Sequence, residues 1–397
     1  MKRYFVCYYH EIILKGKNRP FFEKRLSQNV QKALQGLPYG SIRRISGRIL
    51  VKLTADSPVE QIGARLQKVF GLVYCCPAWR SVQDLEVLQE DLWKLVSPRK
   101  FETFKIDSRR ANKKYPLSSQ QMNELLGDVI RTRSGQTVRL EGPELTCYVD
   151  IVEDYAFLYF RKLKGVNGLP VSCSGKVVVL MSGGIDSPVA AFKVLKRGCR
   201  AIFVHFHSLP HTTPESLDKV RQLVSVLTEY QYRSKIYMIP FAELQRQVVA
   251  FTPAETRVIL YRRLMMRLAE EIARREGAHA LVTGDSIGQV ASQTLENLRV
   301  ISDATQLPIL QPLIGEDKEE IVAVARRIGT FPISILPHED CCSLFVPRHP
   351  ETRAKLDGIQ RIESLLEISP MVQEALKQMH TETIEFQGQM EQEAISR

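Results

Sequence analysis

Apolar residues recur along this chain at two alternating periods, every second residue and every third or fourth, and the alternation predicts its elements. Residues 3–9 read as a strand, and Gly16-Lys17-Asn18-Arg19-Pro20 as a basic turn into a helix. Phe22, Leu26, Val30, Ala33 and Leu34 give that helix its apolar face, and Gly36 stops it. Residues 41–53 predict a strand pair with Arg43, Arg44 and Arg48 outward; Ile62, Leu66, Val69 and Phe70 predict a helix near 58–70. From about 85 to 162 the pattern gives helix, strand, helix and then paired strands. Phe104, Ile106 and Ser108 alternate with Lys105, Asp107 and Arg109, as in a half-buried strand. Ser118 and Gln121 stand at capping-box spacing ahead of Met122, Leu125, Leu126 and Val129.

Residues 163–174 contain Gly, Pro and Ser and read as a linker, with a second domain starting near Gly175. Val177 to Met181 is an uninterrupted apolar run, as in a parallel strand buried on both faces. Ser182-Gly-Gly-Ile-Asp-Ser187 follows, with Ser187 placed as an N-cap and Pro188 as a first helical residue. Strands at 200–206, 236–239 and 280–283 alternate with helices near 215–230 and 257–275. Ile321, Val324, Ala325 and Ile328 predict a further helix, closed by Gly329. This α/β alternation predicts an open, mostly parallel sheet with its ligand at the strands' carboxyl ends. From about 351 the chain reads as helical and acidic, with no function assigned.

Charge adds an asymmetry. Residues 1–162 hold 28 Lys+Arg against 17 Asp+Glu, whereas residues 163–397 hold 27 of each, so the net +11 lies in the first part. That part is the candidate polyanion-binding surface; a solvated basic face is the plainer alternative. The basic loop Arg109-Arg110-Ala-Asn-Lys113-Lys114-Tyr115-Pro116 fits phosphate contact plus stacking, although such loops are more often solvated turns. Composition is that of a soluble globular protein, no apolar run is long enough to span a bilayer, and the start lacks a signal-peptide core. The chain is read as cytoplasmic. Eight cysteines without a Cys-x-x-Cys argue against a disulfide framework, and the adjacent pairs Cys75-Cys76 and Cys341-Cys342 suit neither zinc nor ordinary disulfides.

A strand, a Gly-containing loop and a helix N-terminus together make an anion site. No Gly-Lys here is followed by Ser or Thr, so the loop is not a Walker loop. Asp186 beside a phosphate cradle is unfavourable unless Mg²⁺ lies between them. The alternative, a Gly-rich turn without a ligand, is disfavoured by the strand, the six-residue motif and the helix that follows. Lys318 near a helix start works against the dipole unless an anion sits there. His205-Phe206-His207 could be read as metal ligands, but no third ligand stands at a convincing spacing. Arg262 could equally belong to a surface ion pair among Arg262, Arg263 and Arg267.

The loop 182–187 resembles the PP-loop of the ATP pyrophosphatases, which split ATP between its α- and β-phosphates. Leu14-Lys15-Gly16-Lys17-Asn18-Arg19, Val69-Phe70-Gly71 and Phe104-Lys105 through Arg109-Arg110 resemble the ferredoxin-like and THUMP domains of the tRNA 4-thiouridine synthetases, or tRNA sulfurtransferases. The resemblance covers nearly the whole chain. It implies a ferredoxin-like domain over 1–56, a THUMP RNA-binding domain over 57–162, the linker 163–174 and a PP-loop ATP pyrophosphatase domain over 175–397. ATP contacts are implied at Leu180, Met181, Ser182, Gly183, Gly184, Ser187, His205, Phe206, Arg262, Gly284 and Gln293. Asp186 would meet Mg²⁺-pyrophosphate and Lys318 would assist there. Lys17, Arg19, Arg109, Arg110, Lys113 and Lys114 would contact tRNA. His338-Glu-Asp-Cys341-Cys342 resembles the family's sulfur-handling loop, with Cys341 the reactive thiol.

The resemblance implies uridine 8 of tRNA as target and a cysteine desulfurase as sulfur donor. ATP would turn the C4 oxygen of uracil into an adenylate, and a persulfide or hydrosulfide would then displace AMP. Longer relatives carry a persulfide cysteine in a carboxy-terminal rhodanese domain, whereas this sequence reaches Arg397 without one, so Cys341 is expected to carry the persulfide or to resolve it. Transfer to the sulfur carrier of thiamine-thiazole synthesis and a homodimer are left open. The rivals are another PP-loop product (lysidine, 2-thiouridine or an amidation) and a non-catalytic RNA-binding protein that responds to ATP. The basic front end, the cysteine loop and the presence of Asp186 and Lys318 count against them.

Overall fold

The computed structural model describes residues 1–211, 213–337, 349–386 and 388, and the chain divides into two compact units at Pro170/Val171. In the first, β1 (Lys2–Tyr8) leads to α1 (Arg19–Ala33), the hairpin β2 (Ser41–Ile45) and β3 (Arg48–Lys52), then α2 (Val59–Gln67) and β4 (Tyr74–Ser81). Next come α3 (Leu85–Val96), β5 (Thr103–Arg110), α4 (Ser119–Ser134), β6 (Thr137–Val138), β7 (Leu145–Val152), β8 (Tyr155–Tyr159) and β9 (Leu163–Lys164). These strands form one sheet, ordered β2-β3-β1-β4-β8-β7-β5-β6, with β9 also on β4. The strand β1 lies antiparallel between β3 and β4, with Val6 opposite Leu50 and Cys76, so the sheet runs unbroken from the β2–β3 hairpin to β8. Apolar residues of α3 and α4, Leu88, Leu92, Met122 and Leu126 among them, pack on Phe104, Ile106, Cys147 and Val149. The Ser118/Gln121 capping box opens α4 as its spacing predicts.

Arg48 corrects the outward reading. Arg43 and Arg44 are exposed, but Arg48 is buried and grips Asp150 of β7 through two nitrogens, each at 2.8 Å. The Tyr8 hydroxyl donates to the same carboxylate, and the guanidinium lies 5.0 Å from the Tyr8 ring centre. Asp150 is fully buried, so its charge depends on this fork. Arg48→Ala is expected to cost about 3–5 kcal/mol, because it strands a buried carboxylate. Thermal unfolding checks this, and a melting temperature unchanged from wild type would contradict it.

The second unit starts with β10 (Lys176–Leu180), α5 (Asp186–Lys196), β11 (Arg200–His207), α6 (Glu215–Gln231) and β12 (Arg233–Pro240). It continues through α7 (Ala242–Phe251), α8 (Arg257–Glu276), β13 (Leu281–Val282), α9 (Leu295–Ser302), β14 (Ile309–Leu310) and α10 (Lys318–Ile328). The described remainder is α11 (Phe331–Ser334), α12 (Leu356–Glu363), α13 (Ile368–Gln378) and β15 (His380–Glu385). The sheet order is β14-β13-β10-β11-β12-β15, parallel except for β15. Tyr261, Leu264, Leu268 and Ile272 of α8 and Met371 and Val372 of α13 pack with Val178, Val204 and Ile239 of the sheet in one core. The wholly helical reading beyond 351 needs correction: β15 pairs antiparallel with β12 at the sheet edge. Its sequence, His-Thr-Glu-Thr-Ile-Glu, is polar because an edge strand faces water, so it carries no apolar signal.

Candidate nucleotide site

The loop after β10 is held by its own hydroxyls. Ser187 Oγ accepts from the Ser182 amide at 2.9 Å and lies 3.1 Å from Ser182 Oγ, while the Gly184 amide donates to Ser182 Oγ at 3.3 Å. The helix α5 opens at Asp186 after Ile185, two residues earlier than its predicted start at Pro188. Ser187 therefore braces the loop rather than capping the helix. Pro188, the third helical residue, is tolerated because first-turn amides have no intrahelical acceptor. A Cβ on Gly284, just past β13, would lie 2.8 Å from the Ser187 nitrogen and 2.9 Å from the Asp186 carbonyl carbon. That glycine lets the start of α5 seat against the end of β13.

Asp186 and Lys318 meet at this helix start. Lys318 opens α10, whose N-terminus carries a reciprocal Asp317/Glu320 capping box. Its ammonium donates to Asp186 Oδ1 at 2.7 Å, and Gln289 Nε2 donates to Oδ2 at 2.9 Å. The anion that Lys318 needed at a helix start includes the Asp186 carboxylate itself. A Lys193–Glu316 ion pair ties α5 to the residues before α10, and Ser286 Oγ donates to the Glu316 carbonyl at 2.9 Å.

Beside this pair lies a cavity of about 580 Å³, a size typical of small-molecule sites. Leu180, Phe206, Val258, Met265, Met266 and Val290 supply apolar walls, and Ser182, Asp186, Ser187, Arg262, Asp285 and Gln293 supply polar ones. Arg262 faces this cavity and forks onto Asp285 at 2.8 and 2.7 Å. Arg263 and Arg267 instead pair with Glu363, so the three arginines do not form one surface cluster. Burial would raise the Asp285 carboxyl, but the Arg262 charge and hydrogen bonds from Thr283 and Gln293 hold it below the usual carboxylate range. Gln293 Oε1 is buried without a hydrogen-bond partner among the described residues. His205 is buried beside the loop, with Nδ1 2.9 Å from the Met181 carbonyl. His207 is pushed down to about 4 by burial, with His205 adding to the shift, so it is neutral at pH 7. Among the described residues no three His, Cys, Asp or Glu side chains group as a metal site.

Of the predicted site residues of the second unit, ten line this cavity, namely Leu180, Met181, Ser182, Asp186, Ser187, His205, Phe206, Arg262, Gly284 and Gln293. Gly183 and Gly184 lie in the loop without lining it, Lys318 reaches the site through Asp186, and Cys341 and Cys342 lie outside the described residues. Asp285, Gln289 and Met265 were missed. Asp285 had a signal, a carboxylate directly after Gly284 at the carboxyl end of a predicted strand. Cys75 and Cys76 stand inside β4, and burial pushes the Cys75 thiol up to about 12. Among the described residues no helix is long and apolar enough to cross a membrane.

The basic residues of the first unit divide into exposed and braced groups, with Arg109, though exposed, donating to the Tyr74 hydroxyl at 3.3 Å. Lys17, Arg109, Lys113 and Lys114 are exposed. Arg19 Nε donates to Glu23 at 2.6 Å, and Arg110 donates to the Tyr115 and Leu117 carbonyls at 2.9 and 3.2 Å, bracing the loop. Tyr115, read as a stacking residue, is buried in the α3/α4 core. Its ring packs with apolar side chains and is not available to a base. Lys162, which sequence reading passed over, lies 3.7 Å from the Tyr148 ring centre near Tyr74 and Arg109.

A parallel-sheet strand, a hydroxyl-braced Gly-Gly loop and an Asp–Lys pair beside a largely apolar cavity define a PP-loop ATP pyrophosphatase domain, which follows an α+β unit in the sequence. Residues 172–368 match the family model described as thiamine biosynthesis protein (ThiI), 4–76 the ThiI ferredoxin-like domain and 81–161 the THUMP domain. The chain is 43% identical over 380 residues to the probable tRNA sulfurtransferase of Thermus thermophilus, covering 96% of this chain and 93% of that one. With that of Moorella thermoacetica it shares 42% over 378 residues, 95% and 96% of the two chains. A crystal structure of a 4-thiouridine synthetase–RNA complex with bound ATP matches with a TM-score of 0.87 at 34% identity, covering 97% of this chain and 100% of that chain. The chain belongs to the tRNA sulfurtransferase family.

Proposed function

We propose that this protein thiolates tRNA at the expense of ATP, adenylating the C4 oxygen of uridine 8 and replacing it with sulfur. The observation that carries the reading is the Asp186–Lys318 pair at the PP-loop beside the cavity. The likeness to a 4-thiouridine synthetase over nearly the whole chain supports the substrate.

ATP fits the residues present. The helix start and loop suit its phosphates, the walls from Phe206 to Met266 suit a base, and the unpartnered Gln293 Oε1 suits a donor such as an exocyclic amine. Mg²⁺ fits as well, since it commonly binds one or two carboxylates plus phosphate oxygens and Asp186 offers one carboxylate at the loop. When bound, the metal supplies charge neutralisation at the phosphates. Lys318 orients Asp186 and adds positive charge where pyrophosphate leaves. Arg262, fixed by Asp285, lines the same cavity.

The C4 oxygen attacks the α-phosphorus and pyrophosphate departs. The terminal sulfur of a persulfide on Cys341 then attacks C4 and AMP leaves, so Cys341 and the nucleoside share an S–S bond. A second thiolate, from Cys342 or an external thiol, breaks that bond and releases 4-thiouridine; a disulfide left on the protein is reduced by a thiol reductant. Alternatively, hydrosulfide attacks C4 directly, Cys341 having released it by resolving a persulfide. A cysteine desulfurase supplies the persulfide sulfur. The family model's thiamine description supports a second acceptor, a sulfur carrier protein.

The exposed Lys17, Arg109, Lys113 and Lys114 contact tRNA phosphates in this reading. Charge reversal at Arg109, Lys113 and Lys114 is expected to weaken tRNA binding, to flatten its salt dependence by roughly 0.9 for each phosphate no longer neutralised, and to leave ATP binding intact. Binding isotherms at several salt concentrations test this, and unchanged affinity removes the loop from the interface. The reading as a whole is tested by tRNA-dependent pyrophosphate release. Release that ignores added tRNA counts against it.

A further inference from the structure

Lys219, near the start of α6, is 3% exposed. Its ammonium donates to the carbonyl oxygens of Ser334 at 2.8 Å and Leu336 at 2.6 Å. Carbonyls at the end of a helix lack intrahelical donors, and a cation there satisfies them. The Ser334 hydroxyl donates in turn to the Gly184 carbonyl of the PP-loop at 3.1 Å. Ser334 is itself buried and belongs to both contacts, so a continuous chain of hydrogen bonds runs from α6 through 334–336 to the loop.

A lysine in this position is costly to desolvate and to immobilise. Packing alone would be served by leucine or methionine. What Lys219 adds is a fixed position for the carbonyls of 334 and 336, and Leu336 precedes Cys341 by only five residues in sequence. We infer that Lys219 and Ser334 are positioning residues that hold the stretch 334–336 in register with the PP-loop, so that sulfur delivery keeps pace with adenylation. The inference rests on the function proposed above. An adenylated uridine not met by sulfur is attacked at C4 by water, which releases AMP and restores uridine. Loss of register therefore shows as pyrophosphate without 4-thiouridine.

The test uses the full chain with tRNA, ATP, Mg²⁺, cysteine and a cysteine desulfurase, and measures pyrophosphate and 4-thiouridine in the same samples. Ser334→Ala removes one hydrogen bond and is expected to release pyrophosphate at the wild-type rate while yielding about fivefold less 4-thiouridine per pyrophosphate. Ser334→Thr, which keeps the hydroxyl, restores the yield. Lys219→Met lowers it further, and Lys219→Arg recovers part of it. A merely structural role would lower both products together, in step with the melting temperature, and that outcome overturns the inference. Cys341→Ser is run alongside. If it makes wild-type 4-thiouridine, the sulfur-transfer reading fails; if it loses product while Ser334→Ala keeps the wild-type ratio, only the positioning inference fails.

Discussion

Asp186→Asn is expected to fold like the wild type and to lose tRNA-dependent pyrophosphate release by roughly a hundredfold or more. The change is isosteric. Asp186 keeps 21% of its side chain exposed and Lys318 49%, so their ion pair adds little to stability. The loss falls on charge. With an amide at 186, Lys318 loses the anion that orients it, and the Mg²⁺ proposed there would lose an anionic ligand. Lys318→Ala removes the cation alone and is expected to slow the same step by about tenfold or more. Melting curves, ATP titrations and a pyrophosphate assay on the same preparations separate folding, binding and chemistry. Wild-type pyrophosphate release from Asp186→Asn would contradict the assignment.

Cys341→Ser is expected to leave pyrophosphate release intact and to lower 4-thiouridine by more than about a hundredfold, because a hydroxyl can neither carry nor resolve a persulfide. Cys342→Ser should be milder. Of the six described cysteines, Cys7, Cys75, Cys76 and Cys147 are buried, and burial raises their thiols, which disfavours the thiolate that sulfur chemistry needs. Cys173 and Cys199 are partly exposed, and burial raises the Cys199 thiol too. Measuring AMP and 4-thiouridine together over many turnovers decides the matter. A wild-type yield of 4-thiouridine from Cys341→Ser would remove this thiol from the reaction.

Legibility in the sequence followed the range of the interactions. The parallel strands were readable because Val177–Met181 and Ala201–Val204 are apolar on both faces, and α8 because its apolar stripe runs for about four turns, from Ile259 to Ala273. The capping box at Ser118 is a local signal and was read locally. Arg48 was misread because Asp150, its partner, lies 102 residues away and no alternation pattern marks a buried ion pair. Tyr115 was misread because its neighbours in sequence are basic while its neighbours in space are apolar. The helix α5 starts early because Ser187 is recruited by Ser182, a contact fixed by the loop's closure. Asp285 acquires its meaning only when α8 brings Arg262 to it.

The most direct test of the central claim is nucleoside mass spectrometry of unmodified tRNA incubated with this protein, ATP, Mg²⁺, cysteine and a cysteine desulfurase. The account predicts 4-thiouridine at position 8, formed only with ATP and accompanied by AMP and pyrophosphate. Pyrophosphate release with no thiolated nucleoside, or a different modified nucleoside in its place, would contradict it.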